Sequence, residues 1–373
     1  MLAEHLRYVA DRRRLERFEA AIAAVVQPGD QVADLGCGSG ILGLLCLRAG
    51  ASHVFAIDAS NAIEVARQTL LRAGLANQVT FIRNLSQRTE LPDRVDVVVC
   101  DHVGYFGFDY GIVHTMQDAR ERLLRAGGSV IPARIRLELG AIGSCPALAR
   151  IDGWRASKVP AEYHWCHQLA INTIHGVELA RDALLAGPVE LGEIDLRVDQ
   201  PEFFRWAADL RIARDGVMHG LAGWFHCELA AGVWMTNSPL ADRRIDRPQA
   251  FLPIEAAVEV RTGDRVTAIV MARPADNVVA WDVEFHRTGQ RYRQSTWQNM
   301  TVAPEDLARA HPDRVPHVSR AGRARITVLD YCDGRRTARE IGQAVLRDHP
   351  DLFPSAEETL RFVAQVLSRD ADK

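Results

Sequence analysis

The stretch VADLGCGSGILGLLCLRAGASHVFAIDAS, residues 32–60, decides the fold of this chain. A short apolar run leads into three closely spaced glycines, Gly36, Gly38 and Gly40, and a helical stretch and a second apolar run follow. Glycine lets the backbone turn sharply and approach a ligand closely. The pattern predicts a strand, a tight ligand-binding turn, a helix and a second strand that ends at Asp58.

The spacing of these glycines and the acid before them distinguish between two classes of nucleotide cofactor. A dinucleotide-binding turn reads GxGxxG and holds a pyrophosphate at the helix N-terminus, whereas this turn reads GxGxG and follows Asp34. A carboxylate there repels a pyrophosphate but suits the ammonium group of S-adenosylmethionine, and Asp58 is placed to accept ribose hydroxyls. We therefore predict S-adenosylmethionine as the cofactor. A dehydrogenase is the weakest functional alternative. The glycine turn could also have a purely structural role, in which it only packs a strand against a helix.

The rest of the chain divides into three predicted domains. Up to residue 136, short apolar runs alternate with helical stretches, which is typical of a parallel sheet with helices on both faces. Residues 137–312 are dominated by strand-like runs and predict a β-barrel or sandwich, in which VRTGDRV, residues 260–266, indicates a hairpin. Residues 313–373 form a predicted C-terminal unit of helices with a turn.

Composition limits the cellular context and the partners. A net charge of −3 gives no support for a nucleic-acid partner. Seven scattered cysteines without a CxxC pair, and no apolar run of about 18 residues, favour a soluble cytoplasmic protein that makes no membrane contact. The run Arg12–Arg14 is interpreted as a solvated helix face. HWCH, residues 164–167, has no second ligand pair, so we expect no metal.

Several segments resemble the protein arginine methyltransferases. The cofactor stretch matches that family's first two cofactor motifs almost position by position. Residues 91–139 resemble its next segment, residues 1–7 the helix that precedes the fold, and residues 236–266 a segment of the barrel. The resemblance implies a Rossmann-like methyltransferase domain, then a β-barrel with a dimerisation arm at about residues 145–185, and a homodimer.

The same resemblance implies a set of cofactor contacts. Arg7 would meet the cofactor carboxylate, and Ser86 and Gln87 the adenine. The full implied set is Arg7, Asp34, Gly36, Gly38, Gly40, Ile41, Leu42, Asp58, Ala59, Ser86 and Gln87.

The acceptor region departs from the family pattern. The family grips a guanidinium with two glutamates, because a planar cation needs paired carboxylates in fixed geometry. In CDHVGYFGFDY, residues 100–110, the first position is Asp101, and the second falls on Tyr110, with Asp109 one residue earlier. The family's Thr-His-Trp loop falls on residues 245–247, which read Ile-Asp-Arg.

These departures lead to three functional hypotheses. The first is a methyltransferase of specialised metabolism that N-methylates a guanidine or amine of a small molecule or peptide. The second is a true arginine methyltransferase that uses Asp101 and Asp109, and the third a non-catalytic cofactor-binding module. Asp101 is the candidate acceptor-orienting carboxylate, able to take a proton from an amine or a guanidine. The catalytic candidates are Asp101, His102, Tyr105, Asp109 and Tyr110.

The segment ITVLDYCDGRRTAREIGQAVL, residues 326–346, resembles the small winged-helix-like modules that bind leader peptides in ribosomal-peptide biosynthesis. The shared pattern is an apolar helix, CDG, a threonine cap and an amphipathic helix. Thr337 and Glu340 have the spacing of a capping box. Peptide docking and a purely structural role both remain open for this unit.

Overall fold

The structure is a computed structural model that describes residues 2–301, 305, 308–309, 311–353 and 355–371, with side chains from residue 5 onward. Residues 1–300 form one compact unit and residues 301–373 a second one.

A five-stranded parallel sheet organises the first part of the chain. Its spatial order is β3-β2-β1-β4-β5, and the strands are β1 (Gln31–Leu35), β2 (His53–Ile57), β3 (Val79–Ile82), β4 (Val95–Cys100) and β5 (Leu124–Ile131). The accompanying helices are α1 (Leu2–Ala10), α2 (Arg12–Val25), α3 (Ile41–Arg48), α4 (Ala62–Arg72) and α5 (Ile112–Arg122). The valine-rich strands are largely buried, as expected for a sheet covered on both faces. The predicted alternation of strands and helices is confirmed.

Antiparallel strands form the β-barrel that follows. One sheet has the order β7-β12-β10-β6-β8 with β11 beside β10, and a second has the order β15-β14-β13-β9. The strands are β6 (Arg134–Ile142), β7 (His175–Val177), β8 (Val189–Asp195), β9 (Phe204–Arg211), β10 (Gly216–Ala230), β11 (Val233–Thr236), β12 (Gln249–Val260), β13 (Arg265–Arg273), β14 (Val278–Phe285) and β15 (Arg291–Ser295). The Trp281 indole donates from the second sheet to the Pro253 carbonyl of the first.

The predicted hairpin at residues 260–266 is wrong. A turn does join β12 and β13 there, but β12 pairs with β7 and β10, whereas β13 pairs with β9 and β14. The turn therefore carries the chain from one sheet to the other. Turn residues specify a reversal of direction, and the hydrogen-bonding partners of each strand are set by the rest of the barrel.

The segment between β6 and β7 corresponds to the predicted arm. It contains α6 (Ala147–Asp152) and α7 (Cys166–Ile171), and its buried residues pack with Trp224 and Phe251 of the barrel in a separate core cluster. Three aromatic side chains in this segment are exposed: Trp154, Tyr163 and Trp165. Within HWCH, one ring nitrogen of His164 bonds to the Val159 carbonyl, and His167 is buried.

The second unit contains three helices, α8 (Arg320–Asp330), α9 (Ala338–Asp348) and α10 (Ala356–Asp370). Their core consists of Val328, Ile341, Val345, Val363 and Val366. The predicted capping box is confirmed, because Thr337 and Glu340 bond reciprocally at the start of α9. The described part of this unit has no strand and therefore lacks a wing. Among the described residues of the whole chain, no helix combines the length and the apolar character needed to cross a membrane.

Candidate active site

A cavity of about 420 Å³ opens at the carboxyl ends of β1, β2 and β4, the edge where parallel α/β sheets bind ligands. Eight of the predicted site residues line it: Gly36, Gly38, Ile41, Leu42, Asp58, Asp101, His102 and Tyr110. Six further residues complete the wall: His5, Tyr8, Arg14, Cys37, Ser39 and Ser60.

The glycine turn shapes one wall of this cofactor cavity. Gly36 has a φ of +64°, and a side-chain carbon there would overlap the His102 ring. The position is therefore restricted to glycine by both backbone conformation and space. The Gly38 amide donates to Asp58 Oδ2 at 2.9 Å, and the Ser60 amide and hydroxyl both donate to Oδ1 at 2.7 Å. Asp58 is thus fixed in orientation at the cavity wall.

Asp34 lies beneath the turn and does not line the cavity. Its side chain is buried, and Oδ2 accepts the Gly43 amide of α3 at 2.9 Å. Burial raises the pKa of Asp34 to about 7, although the Gly43 hydrogen bond opposes this shift. In the structure Asp34 therefore anchors the first turn of α3, and its contact with a cofactor ammonium stays a prediction.

Asp101 is bound to two arginines from distant parts of the chain. Arg14 Nε lies 2.6 Å from Oδ2, and Arg247 NH2 and NH1 lie 3.0 and 3.4 Å from Oδ2 and Oδ1. All three side chains are at most 9% exposed. Burial favours the neutral acid, but the two guanidiniums outweigh it and keep the pKa of Asp101 below its ordinary value. The cluster therefore carries one negative and two positive charges.

The two arginines are positioned by aromatic and main-chain contacts. Both guanidiniums lie over the Tyr8 ring, with centroid distances of 5.4 Å for Arg14 and 5.5 Å for Arg247. Asp11 caps α2 by accepting the Arg14 amide, and its other oxygen accepts the Asp246 amide. The start of α2 is thereby connected to the 244–247 segment, which precedes β12.

The interpretation of Arg12–Arg14 as a solvated face is therefore wrong for Arg14. Arg14 precedes Phe18 and Ile22 by one and two helical turns and shares their buried face. This four-residue spacing was the feature of the sequence that could have predicted a buried Arg14. Position 247 holds Arg where the family's Thr-His-Trp loop has Trp, so the sequence showed a departure from the family there. It did not indicate that the Arg247 side chain reaches Asp101.

Asp109 faces the loop that contains it. Its two oxygens accept the amides of Tyr105 and Phe106 at 3.0 and 2.8 Å. Gly104, with a φ of +63°, leaves room for this carboxylate, because any side chain there would overlap it. Burial raises the pKa of Asp109, and the two amide bonds oppose the shift. The structure does not bring Asp109 to the cofactor cavity.

Tyr105 and Tyr110 lie beside a second cavity of about 330 Å³, which Asp109 also lines. Their ring centroids are 5.6 Å apart. Tyr110 lines both this cavity and the cofactor cavity. Partial burial, with the neighbouring Tyr105 hydroxyl, raises the pKa of Tyr110 above its ordinary value, although the residue is 47% exposed.

The remaining predicted residues lie outside the wall of the cofactor cavity. Arg7 is exposed and pairs with Asp246 at 3.3 Å, and it is Arg14 that reaches the cavity. Gln87 donates to Thr115 at 3.3 Å, and the Ser86 carbonyl accepts from Arg122. Ala59 is exposed, and Gly40 packs against Ala66. The cofactor contacts of these residues stay predictions.

Comparison with known proteins finds methyltransferases. The model of the ribosomal protein L11 methyltransferase (PrmA) family matches residues 17–133. Protein arginine N-methyltransferase 6 of Xenopus laevis is 25% identical over 286 residues, which covers 73% of this chain and 84% of that protein. Protein arginine N-methyltransferase 1 of Schizosaccharomyces pombe is 25% identical over 258 residues, which covers 66% of this chain and 74% of that protein.

Solved structures agree with this fold. The Trypanosoma brucei PRMT1 enzyme–prozyme heterotetrameric complex with AdoHcy matches with a TM-score of 0.69 and 19% identity, covering 79% of this chain and 98% of that one. Arabidopsis thaliana protein arginine methyltransferase 10 matches with a TM-score of 0.68 at the same identity and coverage. The Rossmann-like domain and the barrel agree with these comparisons. This chain is an S-adenosylmethionine-dependent methyltransferase that is similar to the protein arginine methyltransferases.

Proposed function

We propose that this enzyme methylates an acceptor atom that carries no fixed positive charge, such as a neutral amine, a hydroxyl or a carboxylate, on a small molecule or peptide of specialised metabolism. The observation that carries the proposal is the Asp101 cluster. The carboxylate that would receive a substrate guanidinium already binds the guanidiniums of Arg14 and Arg247.

The residues around the cofactor cavity fit S-adenosylmethionine. Asp58 keeps one lone pair, on Oδ2, for a ribose hydroxyl after accepting from the Gly38 amide and from the Ser60 amide and hydroxyl, and Arg14 offers a guanidinium for the methionine carboxylate. When bound, the cofactor supplies an electrophilic methyl group, whose bond to sulfur breaks with its electron pair left on sulfur as the acceptor lone pair bonds to carbon. The protein aligns the acceptor for this in-line displacement.

A guanidinium acceptor fits this site poorly. Bidentate recognition of a planar cation requires carboxylate oxygens that point at the substrate. Both oxygens of Asp101 are bonded to resident arginines, and both oxygens of Asp109 accept loop amides. The net positive charge of the Asp101 cluster also repels a second cation.

His102 is the better candidate to receive a proton from a neutral acceptor. Its ring lines the cofactor cavity, and burial lowers its pKa, against the opposing effect of Asp101. The imidazole is therefore neutral at pH 7 and has a lone pair for a proton. Asp101 is a weak base by comparison, because its two arginines stabilise the carboxylate form.

Replacing His102 with glutamine tests this role. With an acceptor that loses a proton, we expect kcat to fall by about 100- to 1,000-fold. Because the pKa of His102 is lowered, wild-type kcat should rise with pH below the ordinary histidine range and be level at pH 7, and the variant should lose that rise. Stopped assays over pH 5–9 give both quantities. The exposed His114 changed to glutamine is the matched control, and an unchanged pH profile in the His102 variant would refute the role.

The proposed function is tested by transfer of an isotopically labelled methyl group to three sets of acceptors. The sets are guanidines, including free arginine and an arginine peptide; neutral amines and hydroxyl compounds; and carboxylates. We expect labelled product by mass spectrometry only in the second or third set. Methylation confined to the first set contradicts the proposal, and cofactor binding without transfer in any set favours a non-catalytic module.

Arginine methylation is the second candidate. The names of the matched relatives support it, and Asp101 demonstrably accommodates the guanidinium of Arg247. A substrate arginine would have to displace Arg247. In that case the Asp101→Asn change abolishes formation of methylarginine, whereas Asp109→Asn affects mainly the fold of the loop.

We also propose a homodimer that forms through the arm at residues 145–185. Trp154, Tyr163 and Trp165 are 41%, 55% and 54% exposed, and aromatic residues are typical anchors of interfaces. We expect wild type to elute with twice the mass of one chain in chromatography with light scattering. Changing Trp154 and Trp165 together to aspartate should halve that mass, and changing the exposed Trp297 to aspartate should leave it unaltered. A monomeric wild type would rule the dimer out.

A reducing compartment such as the cytoplasm is also proposed. All seven cysteines are free thiols. Burial raises the pKa of Cys100 to about 12, which keeps this thiol protonated and unreactive.

A further inference from the structure

A separate cavity of about 430 Å³ lies beside the cofactor cavity, between the start of α2 and the segment that precedes β12. We call it the basic cavity; its charged lining residues are Asp11, Arg12, Arg13, Glu178, Arg244, Asp246 and Arg247. Its walls are connected, since Asp11 accepts the Asp246 amide and Arg13 donates to the Arg244 carbonyl. The cavity is therefore a fixed feature of this unit.

Four arginines and three carboxylates line this cavity, so its wall carries a small excess of positive charge. Asp11 uses both oxygens on main-chain amides, and Asp246 and Glu178 both pair with Arg7, at 3.3 and 4.0 Å. Arg13 and Arg244 donate to main-chain carbonyls, which carry no net charge. Within the described part of the chain, no carboxylate forms an ion pair with Arg12, Arg13 or Arg244. A local positive excess in a chain of net charge −3 favours an anionic ligand.

Arg247 separates the basic cavity from the cofactor cavity. It lines the basic cavity, and its guanidinium binds Asp101, which lines the cofactor cavity. Arg14 also binds Asp101, so Asp101 keeps a partner if Arg247 turns toward a ligand. One added anion would bring the cluster to two positive and two negative charges. A buried cluster with unbalanced charge gains most from such a partner.

We propose that the basic cavity binds a carboxylate or phosphate group of a small acceptor molecule, with Arg247 as the residue that selects it and Arg244 as a supporting residue. This inference rests on the proposed function, because it assigns the charge of the acceptor at the same site. The anion binds Arg247 in competition with Asp101, while the uncharged nucleophile of the same molecule reaches the cofactor cavity. The positively charged rim discriminates against cationic molecules.

The inference is tested with succinate, inorganic phosphate and methylguanidinium as probes, titrated into the full chain saturated with S-adenosylhomocysteine. Calorimetry should give saturable binding of succinate or phosphate and none of methylguanidinium. Arg247→Gln should raise the anion dissociation constant by about tenfold or more, and the less buried Arg244→Gln by about three- to tenfold. Arg48→Gln, an exposed position at the end of α3, should change it less than twofold.

The outcomes distinguish this inference from the proposed function. If no anion binds, or if the anion dissociation constant is equal in all variants, the anion site is overturned. This holds even where uncharged acceptors are methylated. Methylation confined to guanidines overturns the proposed function whatever the anions do. Arg244→Gln keeps the test valid where the buried Arg247 variant does not fold. Saturation by succinate but not phosphate assigns a carboxylate, and the reverse assigns a phosphate.

Discussion

Changing Asp101 to asparagine is expected to lower the free energy of unfolding of the first unit by about 3–5 kcal/mol. The change leaves Arg14 and Arg247 as two buried like charges that share no counter-ion. Both side chains are less than 8% exposed, so water cannot compensate for the lost carboxylate. Urea denaturation followed by tryptophan fluorescence reports on this unit, because all seven tryptophans lie between residues 154 and 297.

Two further variants isolate the effect of burial. Asp282 also binds two arginines, Arg291 and Arg293, but these are 43% and 69% exposed, so Asp282→Asn should lose only about 1 kcal/mol. Asp101→Asn combined with Arg247→Gln should be more stable than Asp101→Asn alone, because one unpaired charge is removed. Because the pKa of Asp101 is lowered, its contribution should be present at neutral pH and disappear on acidification. Equal losses of unfolding free energy for Asp101→Asn and Asp282→Asn would contradict this prediction and show that the Asp101 cluster is solvated.

Changing Asp58 to alanine is expected to weaken binding of S-adenosylhomocysteine by about 100- to 1,000-fold. Each hydrogen bond to a charged group contributes about 1.5–3 kcal/mol. One ribose hydroxyl takes the lone pair that Asp58 keeps on Oδ2, and a second takes the place of the Ser60 hydroxyl on Oδ1. The variant also removes the acceptor for the Gly38 amide, which loosens the turn that shapes the cavity. Calorimetric titration of the full chain measures the dissociation constant directly.

A matched control for Asp58 lies at the opposite end of the same sheet. Asp96, near the start of β4, accepts the Gln31 amide, so its alanine variant also loses a carboxylate that binds a main-chain amide. We expect Asp96→Ala to alter stability and to leave the affinity for S-adenosylhomocysteine within about twofold. A loss of affinity in the Asp58 variant no greater than in the Asp96 variant would refute the ribose assignment.

The fold was largely predictable because local patterns determine it. Strands β1 and β2 are short apolar runs, the glycine turn follows β1 directly, and Asp58 comes just after β2. A carboxylate at the carboxyl end of a parallel strand has little choice of position, so Asp58 lies in the cavity wall, and its contact with the ribose stays a prediction. The pairing partners of β12 and β13 depend on the whole barrel, so the turn residues at 260–266 led to a wrong prediction of a hairpin.

The acceptor region was less predictable, because its charges come together over long distances in the sequence. Arg14, Asp101 and Arg247 span more than two hundred residues, and nothing near Asp101 in sequence indicates that arginines will bind it. Asp109 shows a second limit. Asp109 lies one residue before the position of the second substrate-binding acid, and its carboxylate accepts the nearby Tyr105 and Phe106 amides instead.

The most direct test of the central claim is a crystal structure of the chain with S-adenosylhomocysteine, inspected at Asp101. We predict that Asp101 still binds both Arg14 and Arg247, that Asp109 still accepts the loop amides, and that Tyr110 lines the space next to the cofactor sulfur. An Arg247 side chain turned away, with Asp101 and Asp109 both directed at the sulfur, would contradict the account and indicate a guanidinium acceptor.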